Sequence, residues 1–473
     1  MSKALTSFYR KDDRMEPSVD NKTNSTVENF GYKQELKRSL TFWDLLIYGL
    51  VFMVPIAPFG IYGHVAAGSN GMVALAYLIG MVGMIFTALS YARMSEAFPI
   101  AGSVYSYAQR GINEHVGFFA GWVILLDYIL IPSLLYLVSA AALANIVPEV
   151  PIFVWLLLFI GINTVINVRG IEFTAKANKI IVVLELIVLA IFITAATIAV
   201  VQGVNGAEFT FKPLYDRDAF DLNVVMGAVS IAVLSFLGFD AISTLAEETK
   251  GGKKVVGRAV IFSLLVVGLL FIIQTWVAAL IWPDYTTFEN ADVAFYQIAE
   301  MAGGPWLKWM TILATALAWG IADALVAQAA ISRILYSMAR DKKLPGILSK
   351  VHPKFKTPYA STILVAIISL IVTTIFASTI NSLASLVNFG ALTAFLFLHL
   401  SVINYFIRKQ KSKDFFNHLL MPIIGFVIIG YVWFSLDPTS KQLGFIWMAI
   451  GLAYMVYLKI AKKDSSLGDD LGH

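Results

Sequence analysis

The chain has 473 residues, of which 58% are hydrophobic and only 14% are charged. A soluble domain carries about a quarter charged residues because its surface faces water, so this composition excludes a water-soluble globule. The absence of cysteine excludes disulfides, thiolate metal sites and cysteine nucleophiles, and the net charge of +4 does not indicate nucleic-acid binding.

The first 38 residues are polar and charged and contain no apolar segment. They lack the hydrophobic stretch of a cleavable signal peptide, and their composition predicts a disordered cytoplasmic tail. Twelve apolar segments of spanning length follow, since about 20 residues cross the hydrocarbon core. They lie at about residues 41–67, 71–95, 116–146, 150–167, 177–202, 223–248, 258–282, 304–335, 358–376, 383–407, 418–436 and 442–460.

The distribution of Lys and Arg predicts the orientation of these spans. An even number of spans places both termini on the same side of the membrane. With that side inside, all but four of the 35 Lys and Arg residues lie in the tails, the inner loops or the inner helix ends. Cytoplasmic loops carry this excess of basic residues, so we expect both termini in the cytoplasm.

Two of the spans are interrupted near their middle. In the first span, the run 49–63 contains Pro55, Pro58 and three glycines, and proline removes a backbone donor and clashes with the preceding turn. In the sixth span, Gly238 and Asp240 lie at mid-membrane. Irregular backbone at that depth occurs only where it lines a cavity or is buried in protein.

The two interruptions occupy corresponding positions in two halves of five spans each, which is typical of inverted-repeat transporters. The sequence therefore predicts an all-α polytopic membrane protein with a 5+5 inverted repeat, broken spans 1 and 6, and two peripheral spans. The alternative is a pair of unrelated proline or glycine kinks. The predicted boundaries are a tail at 1–38, repeats at 39–202 and 203–407, spans 11 and 12 at 408–460, and a cytoplasmic C-terminal tail at 461–473.

Three stretches resemble the amino acid–polyamine–organocation superfamily, and most of all its bacterial putrescine-importer-like branch. They are Phe98-Pro-Ile-Ala-Gly-Ser-Val-Tyr-Ser-Tyr107, then Ser235-Phe-Leu-Gly-Phe-Asp240 with Glu247-Glu248, and finally the run Ser332 to Asp341 with Leu344-Pro345 and Thr357-Pro358. The resemblance covers about residues 38–460. It implies five plus five inverted helices and alternating-access uptake of amino acids or amines.

The resemblance also implies where the substrate lies. In this family it contacts the interrupted backbone of the first span and a short stretch of the sixth. The corresponding residues of this chain are Ile56, Ala57, Pro58, Phe59, Gly60, Leu234, Ser235, Phe236, Phe239 and Asp240. Free N–H groups at the start of a helix attract a carboxylate, whereas released carbonyls and acidic side chains suit an ammonium group.

Four carboxylates lie within predicted spans, where a charge is costly and usually functional. No Lys or Arg lies at comparable depth to pair with them. Each is a candidate proton carrier or counter-ion for a cationic substrate; the alternative is a packing role with hydrogen bonds from Tyr or backbone groups. They are Asp127 in span 3, Glu185 in span 5, Asp240 in span 6 and Asp323 in span 8.

Two positions depart from the family pattern. Many members place a lysine near Glu185, where its ammonium substitutes for a sodium ion, and the putrescine-importing relatives have an acid near Gly60. We expect Glu185 and Asp240 to carry protons, and Asp127, Asp240 and Asp323 to contact the substrate. Sodium coupling is the less favoured alternative, since residues 321–330 of span 8 contain no Ser or Thr.

These features predict a secondary-active transporter that imports amino acids or small amines across the cell membrane together with protons. The alternatives are a specific polyamine (putrescine) importer and an amino-acid sensor that does not transport. We expect no enzyme activity, since no paired His-Glu motif, nucleophile elbow or phosphate loop is present. We also expect no cofactor, no metal and no nucleic-acid partner, and either a monomer or a homodimer.

Overall fold

The computed structural model describes residues 40–99, 103–170, 175–252, 254–340, 344–355 and 357–460. Both predicted tails, 1–38 and 461–473, lie outside the described residues, as do positions 100–102 and 341 of the family motifs. All regular elements in the described ranges are helices, and no strand is found there. An isolated β-bridge joins Leu40 and Thr249.

Sixteen α-helices occur in the described ranges. They are α1 (Phe42–Met53), α2 (Tyr62–Gly68), α3 (Val73–Ala97), α4 (Ser103–Gly111), α5 (Glu114–Ile146), α6 (Ile152–Arg169), α7 (Ala175–Val201), α8 (Leu222–Ala232), α9 (Lys254–Ile281), α10 (Ala294–Gly303), α11 (Pro305–Leu317), α12 (Ala324–Arg340), α13 (Tyr359–Ile375), α14 (Ile380–Val402), α15 (Met421–Phe434) and α16 (Pro438–Ile460).

Ten helical segments among the described residues are long and apolar enough to cross a membrane. Helix α13 is also apolar but has only 17 residues. Along α6, α7 and α15 many large apolar side chains are exposed, for example Leu157, Leu184 and Val427. Apolar side chains on this scale are stable outside the core only against lipid, so the chain is a multi-pass membrane protein.

The bundle interior is held together where small residues let helices approach closely. Helix α9 packs along α3, and α14 packs along α5. A Cβ atom on Gly257 of α9 would lie 2.6 Å from the Cβ of Ala92, and one on Gly390 of α14 would lie 2.8 Å from the backbone nitrogen of Asp127. Close backbone approach through small residues is the usual way that membrane helices pack, and here it fixes the position of Asp127.

Helix α1 ends at Met53, and the chain resumes as α2 only at Tyr62, after a 3₁₀ turn over Ala57–Gly60. We refer to residues 54–61 as break 1. Val54 has a φ of 46°, a left-handed conformation that is costly for a β-branched residue. The Pro55 carbonyl accepts a hydrogen bond at 3.0 Å from the side-chain amide of Gln274 on α9, so a buried donor replaces a bond that the helix has lost.

The sixth span is interrupted in a similar way. Helix α8 ends at Ala232, a 3₁₀ turn covers Val233–Phe236, and a second 3₁₀ stretch runs over Phe239–Glu248. Gly238, between the two turns, has a φ of 104°. We refer to residues 233–238 as break 6. A Cβ atom on Gly238 would lie 2.8 Å from the Cβ of Phe52 and 3.0 Å from its carbonyl oxygen, so break 6 packs directly against the end of α1.

A third irregular segment joins α11 to α12. Residues Ala318–Asp323 form a π-helical segment, a rare geometry that is frequent at functional sites. We refer to it as the π-segment.

Residues 291–303, which include α10, pack against α2 at one end of the bundle, and we refer to them as the lid. A Cβ atom on Gly63 would lie 2.3 Å from the carbonyl oxygen of Ala291, so glycine is required for this contact. Beside it, His64 Nε2 and Asp292 Oδ1 are 2.6 Å apart.

Candidate functional site

A cavity of about 60 Å³ lies between break 1, break 6, α5 and the π-segment. This volume is room for about four water molecules. We refer to it as the central cavity. Its walls include Phe52, Met53, Val54, Ala57, Asp127, Tyr128, Leu134, Leu234, Ser235, Leu237, Gly238, Asp240, Trp319 and Asp323.

Three carboxylates face this one cavity, from three different elements. Asp127 comes from α5, Asp240 from the 3₁₀ stretch that follows break 6, and Asp323 from the π-segment. No Lys, Arg or His is among the residues that line the cavity within the described chain. A cavity with acidic and no basic side chains is complementary to a cation, because a bound cation neutralises carboxylates that are otherwise costly at this depth.

Asp240 is held in place by two phenols. The hydroxyls of Tyr91 and Tyr128 each donate to Asp240 Oδ2 at 3.5 Å, and the Asp240 side chain is only 5% exposed. Ser103 lies on the far side of Tyr91, with the two hydroxyl oxygens 3.3 Å apart. The carboxylate is therefore oriented but not neutralised, since its partners are uncharged.

Asp127 and Asp323 have no hydrogen-bond or ion-pair partner among the residues that the structure describes. Nearby, Trp319 also lines the cavity, and its indole N–H is buried without a partner in the described chain. Buried polar groups are normally hydrogen-bonded, so these groups leave binding capacity for a polar ligand.

The predicted contact residues divide between the cavity wall and its surroundings. Ala57, Leu234, Ser235, Asp240, Asp127 and Asp323 line the cavity. Ile56, Pro58, Phe59, Gly60, Phe236 and Phe239 are buried around it and do not line it.

Gly60 is packed too tightly to carry a side chain in this arrangement. A Cβ atom there would lie 2.6 Å from Cγ1 of Val138 and 3.4 Å from the Trp319 ring. The position at which the resemblance predicts an acid is thus filled here by neighbouring apolar groups.

Two clusters of aromatic side chains lie next to residues of the cavity wall. Towards the lid, the Phe59 ring stacks on Phe295 with centroids 4.0 Å apart, and Phe192 packs on both rings. On the other side, Tyr91 packs edge-on against Tyr107, Phe239 and Phe395, with centroids 5.6–6.0 Å apart.

Glu185 does not line the central cavity. It lies on α7, where it lines a separate groove between α7 and the α11–π-segment region. Asp323 faces the central cavity from the other side of the π-segment. The four intramembrane carboxylates are therefore distributed as three in the cavity and one in the groove.

Three aromatic residues of the cavity wall were not singled out by the sequence analysis: Phe52, Tyr128 and Trp319. Two of them had a local signal. Tyr128 follows Asp127 directly, and Trp319 precedes Asp323 by four residues, the spacing that places side chains on one helix face. Phe52 had none, because its place on the wall depends on the contact between the end of α1 and break 6.

The sequence model that describes the amino acid permease family matches residues 40–457 of the chain. The chain belongs to the amino acid permease family. This confirms the resemblance to the amino acid–polyamine–organocation superfamily, and it makes the protein a transporter and not an enzyme.

Individual relatives agree with this assignment. The low-affinity putrescine importer of Escherichia coli (strain K12) is 34% identical over 89% of this chain and 93% of its own length. The branched-chain amino acid permease of Bacillus subtilis (strain 168) is 27% identical over 92% of this chain and 95% of its own length. The methylthioribose transporter of the same strain is 28% identical over 98% of this chain and its whole length. The chain is accordingly a permease that imports amino acids or amines.

Proposed function

We propose that this permease imports a small diamine of the putrescine class. The observation that carries the proposal is the set of three carboxylates, without any basic side chain, on the wall of the central cavity. Similarity to a putrescine importer over nearly the whole chain supports the same substrate.

Two acidic poles suit the two ammonium groups of a diamine. Asp240, held by Tyr91 and Tyr128, is the first pole. Asp127 and Asp323, which have no protein partner among the described residues, supply the second. A zwitterionic amino acid would bring a carboxylate into a cavity that already has three, so charge repulsion disfavours it.

We propose that import is coupled to protons. A carboxylate in the membrane is far less costly when a proton or a cation neutralises it, so substrate and proton can alternate on Asp240. Glu185, which departs from the lysine of many relatives, is the second proposed proton carrier. Coupling to sodium is less suited to this chain, since residues 321–330 offer no hydroxyl ligand.

The proposed architecture follows the inverted-repeat scheme, with alternating access around the central cavity. In it α13 and α16 complete twelve spans, the repeats cover 39–202 and 203–407, and spans 11 and 12 are peripheral. Both termini are cytoplasmic, so the lid faces the outside of the cell.

The test is uptake into proteoliposomes with an imposed pH gradient, with labelled putrescine and competing spermidine, lysine and leucine. We expect uptake that depends on the gradient and competition by amines. Uptake of leucine without competition from putrescine would contradict the diamine proposal and point to a neutral amino acid. Binding without counterflow would indicate a sensor.

The role of Glu185 is tested in the same assay with Glu185→Gln. We expect uptake to lose most of its dependence on the imposed pH gradient, because the amide cannot release a proton. Unchanged pH dependence would remove Glu185 from the coupling mechanism and leave the substrate assignment untouched.

A further inference from the structure

The groove that contains Glu185 is separate from the central cavity, and the two share no lining residue. It has a volume of about 460 Å³ and is lined by four residues of α7 and seven residues of α11 and the π-segment. Leu184, Leu313 and Leu317 on its rim are about half exposed. Because these helices are in the membrane, the groove opens towards the lipid.

Glu185 is the single polar side chain in this groove. The other lining residues are Ile, Leu, Val, Met or Ala. Glu185 is 5% exposed, its Oε2 is buried, and it makes no hydrogen bond or ion pair to any residue that the structure describes. A buried carboxyl group without a partner is a costly feature, and here its residue lines a groove that a molecule from the bilayer can fill.

We propose that this groove binds a hydrophobic amine that enters from the bilayer. The apolar walls accept the hydrocarbon part of such a molecule, and the amine nitrogen pairs with the Glu185 carboxyl group. An amine crosses lipid in its neutral form; on arrival the O–H bond of the protonated carboxyl group breaks and an N–H bond forms, which yields an ammonium–carboxylate pair.

The charge of the bound molecule distinguishes an amine from other lipid-like ligands of this groove. An alcohol or a fatty acid of the same shape would fill the apolar walls equally well, but neither leaves a cation beside Glu185. No basic side chain of the described chain lines the groove, so nothing competes with the amine for this carboxyl group.

The groove and the central cavity share one wall. Ala318, Ile321 and Ala322 of the π-segment face the groove, whereas Trp319 and Asp323 face the cavity. A molecule bound beside Glu185 would therefore restrict the movement of the π-segment, which carries Asp323, one of the acids of the proposed substrate site. This connection makes the groove a second, non-overlapping site through which hydrophobic amines reduce transport.

Photolabelling tests the binding directly and does not depend on which substrate is transported. The full-length protein in lipid nanodiscs is irradiated with a benzophenone that carries a primary alkylamine, and in parallel with the matching alcohol. Labelled peptides are identified by mass spectrometry. We expect the amine to label residues 181–188 and 310–322 about tenfold more efficiently than the alcohol, since hydrogen bonds to charged groups are worth about 1.5–3 kcal/mol.

Three variants sharpen the test. Glu185→Gln should lower amine labelling about tenfold, to the level of the alcohol, and leave alcohol labelling unchanged. Ala314→Phe fills the groove and should block labelling by both probes. Gly161→Ala on α6 is the control: a Cβ atom at Gly161 meets nothing within 4 Å, so this variant should change neither labelling. If Glu185→Gln is not stable, the comparison of amine labelling with alcohol labelling on the unaltered protein still tests the proposal.

Equal labelling by amine and alcohol, or amine labels confined to cavity residues such as Phe52 and Tyr128, would overturn the proposal. Excess putrescine should not displace the groove label, and displacement would equally overturn it. A second arm rests on the proposed function: the amine should lower the maximal rate of putrescine uptake without raising KM. A pure rise in KM would show that it competes in the central cavity instead.

Discussion

At the scale of single residues, the binding properties of the cavity depend on which carboxylates are left without a cationic partner. Asp240 is oriented by two tyrosine hydroxyls, and no lysine or arginine of the described chain reaches the cavity wall. A cationic ligand can therefore supply the positive charge that the cavity wall lacks.

Asp240→Asn should reduce putrescine uptake efficiency (kcat/KM) about ten- to hundredfold. The change removes a charge-assisted bond worth about 1.5–3 kcal/mol but keeps the shape and the tyrosine contacts. The measurement is initial uptake rate against putrescine concentration. Asp218→Asn, an exposed acid in the 203–221 loop, is the matched control and should behave as the unaltered protein; equal losses in both would remove Asp240 from the site.

Gly238→Ala should lower uptake by more than about tenfold. The φ of 104° is accessible to glycine at little cost, and a Cβ atom would also collide with Phe52. Gly227→Ala, six residues before break 6 on α8, meets nothing within 4 Å and should be neutral. Normal uptake by Gly238→Ala, measured at matched protein levels, would mean that the contact between break 6 and the end of α1 is not needed for transport.

The four intramembrane acids could be identified from the sequence, because a carboxylate in an apolar span stands out by itself. Phe236 and Phe239 were expected at the substrate, and that contact stays a prediction. In the structure they do not line the central cavity and pack against Phe271 and Tyr91. The 3₁₀ stretch Phe239–Glu248 has three residues per turn, and this geometry could not be deduced from the sequence.

At the scale of elements, the lid and α2 behave as one closed unit. Gly63 permits backbone contact with Ala291, and His64 pairs with Asp292. Both contacts lie on the lid side of the central cavity, so they have to be released whenever the cavity opens on that side.

His64→Ala should increase opening on the lid side by up to about fivefold, since a part-exposed pair contributes up to about 1 kcal/mol. The reporter is the labelling rate of a cysteine placed at Ala57 on the cavity wall, and the chain has no native cysteine to interfere. Asp292→Asn should give the same increase. The double variant should add nothing further, and additive effects would show that the two residues do not act as a pair.

The breaks could be anticipated from Pro55, Pro58 and Gly238, because these residues disturb a helix wherever they occur. The π-segment could not. Its sequence, Ala-Trp-Gly-Ile-Ala-Asp, continues an ordinary apolar helix, and the extra residue in the turn is set by packing, with Gly320 in contact with Ser139 and Phe159.

At the scale of the whole molecule, burial separates the central helices from the peripheral ones. The described segments 114–145 and 380–409 are mostly buried, whereas 152–169, 179–201 and 416–434 are mostly exposed to lipid. Hydropathy predicted these segments from the sequence. Backbone groups without hydrogen bonds are costly in lipid, so each membrane span has to be a long apolar helix. How they pair could not be deduced, because contacts such as Gly390 with Asp127 join residues far apart in sequence.

Single cysteines at two exposed loop positions test the topology. Asp218 precedes the sixth proposed span and Lys413 follows the tenth, so five crossings separate them if α13 spans the membrane. We expect Asp218→Cys to react with an impermeant maleimide on intact cells, and Lys413→Cys to react only after permeabilisation. Reaction of both from one side would mean that α13 does not cross, and the reverse pattern would invert the proposed orientation.

The most direct test of the substrate proposal compares putrescine with N-acetylputrescine as competitors of labelled putrescine uptake. Acetylation keeps the carbon chain and removes one of the two charges. If two acidic poles bind two ammonium groups, the acetylated compound should compete about ten- to hundredfold more weakly. Equal competition by the two compounds would contradict the two-pole arrangement of Asp240 with Asp127 and Asp323.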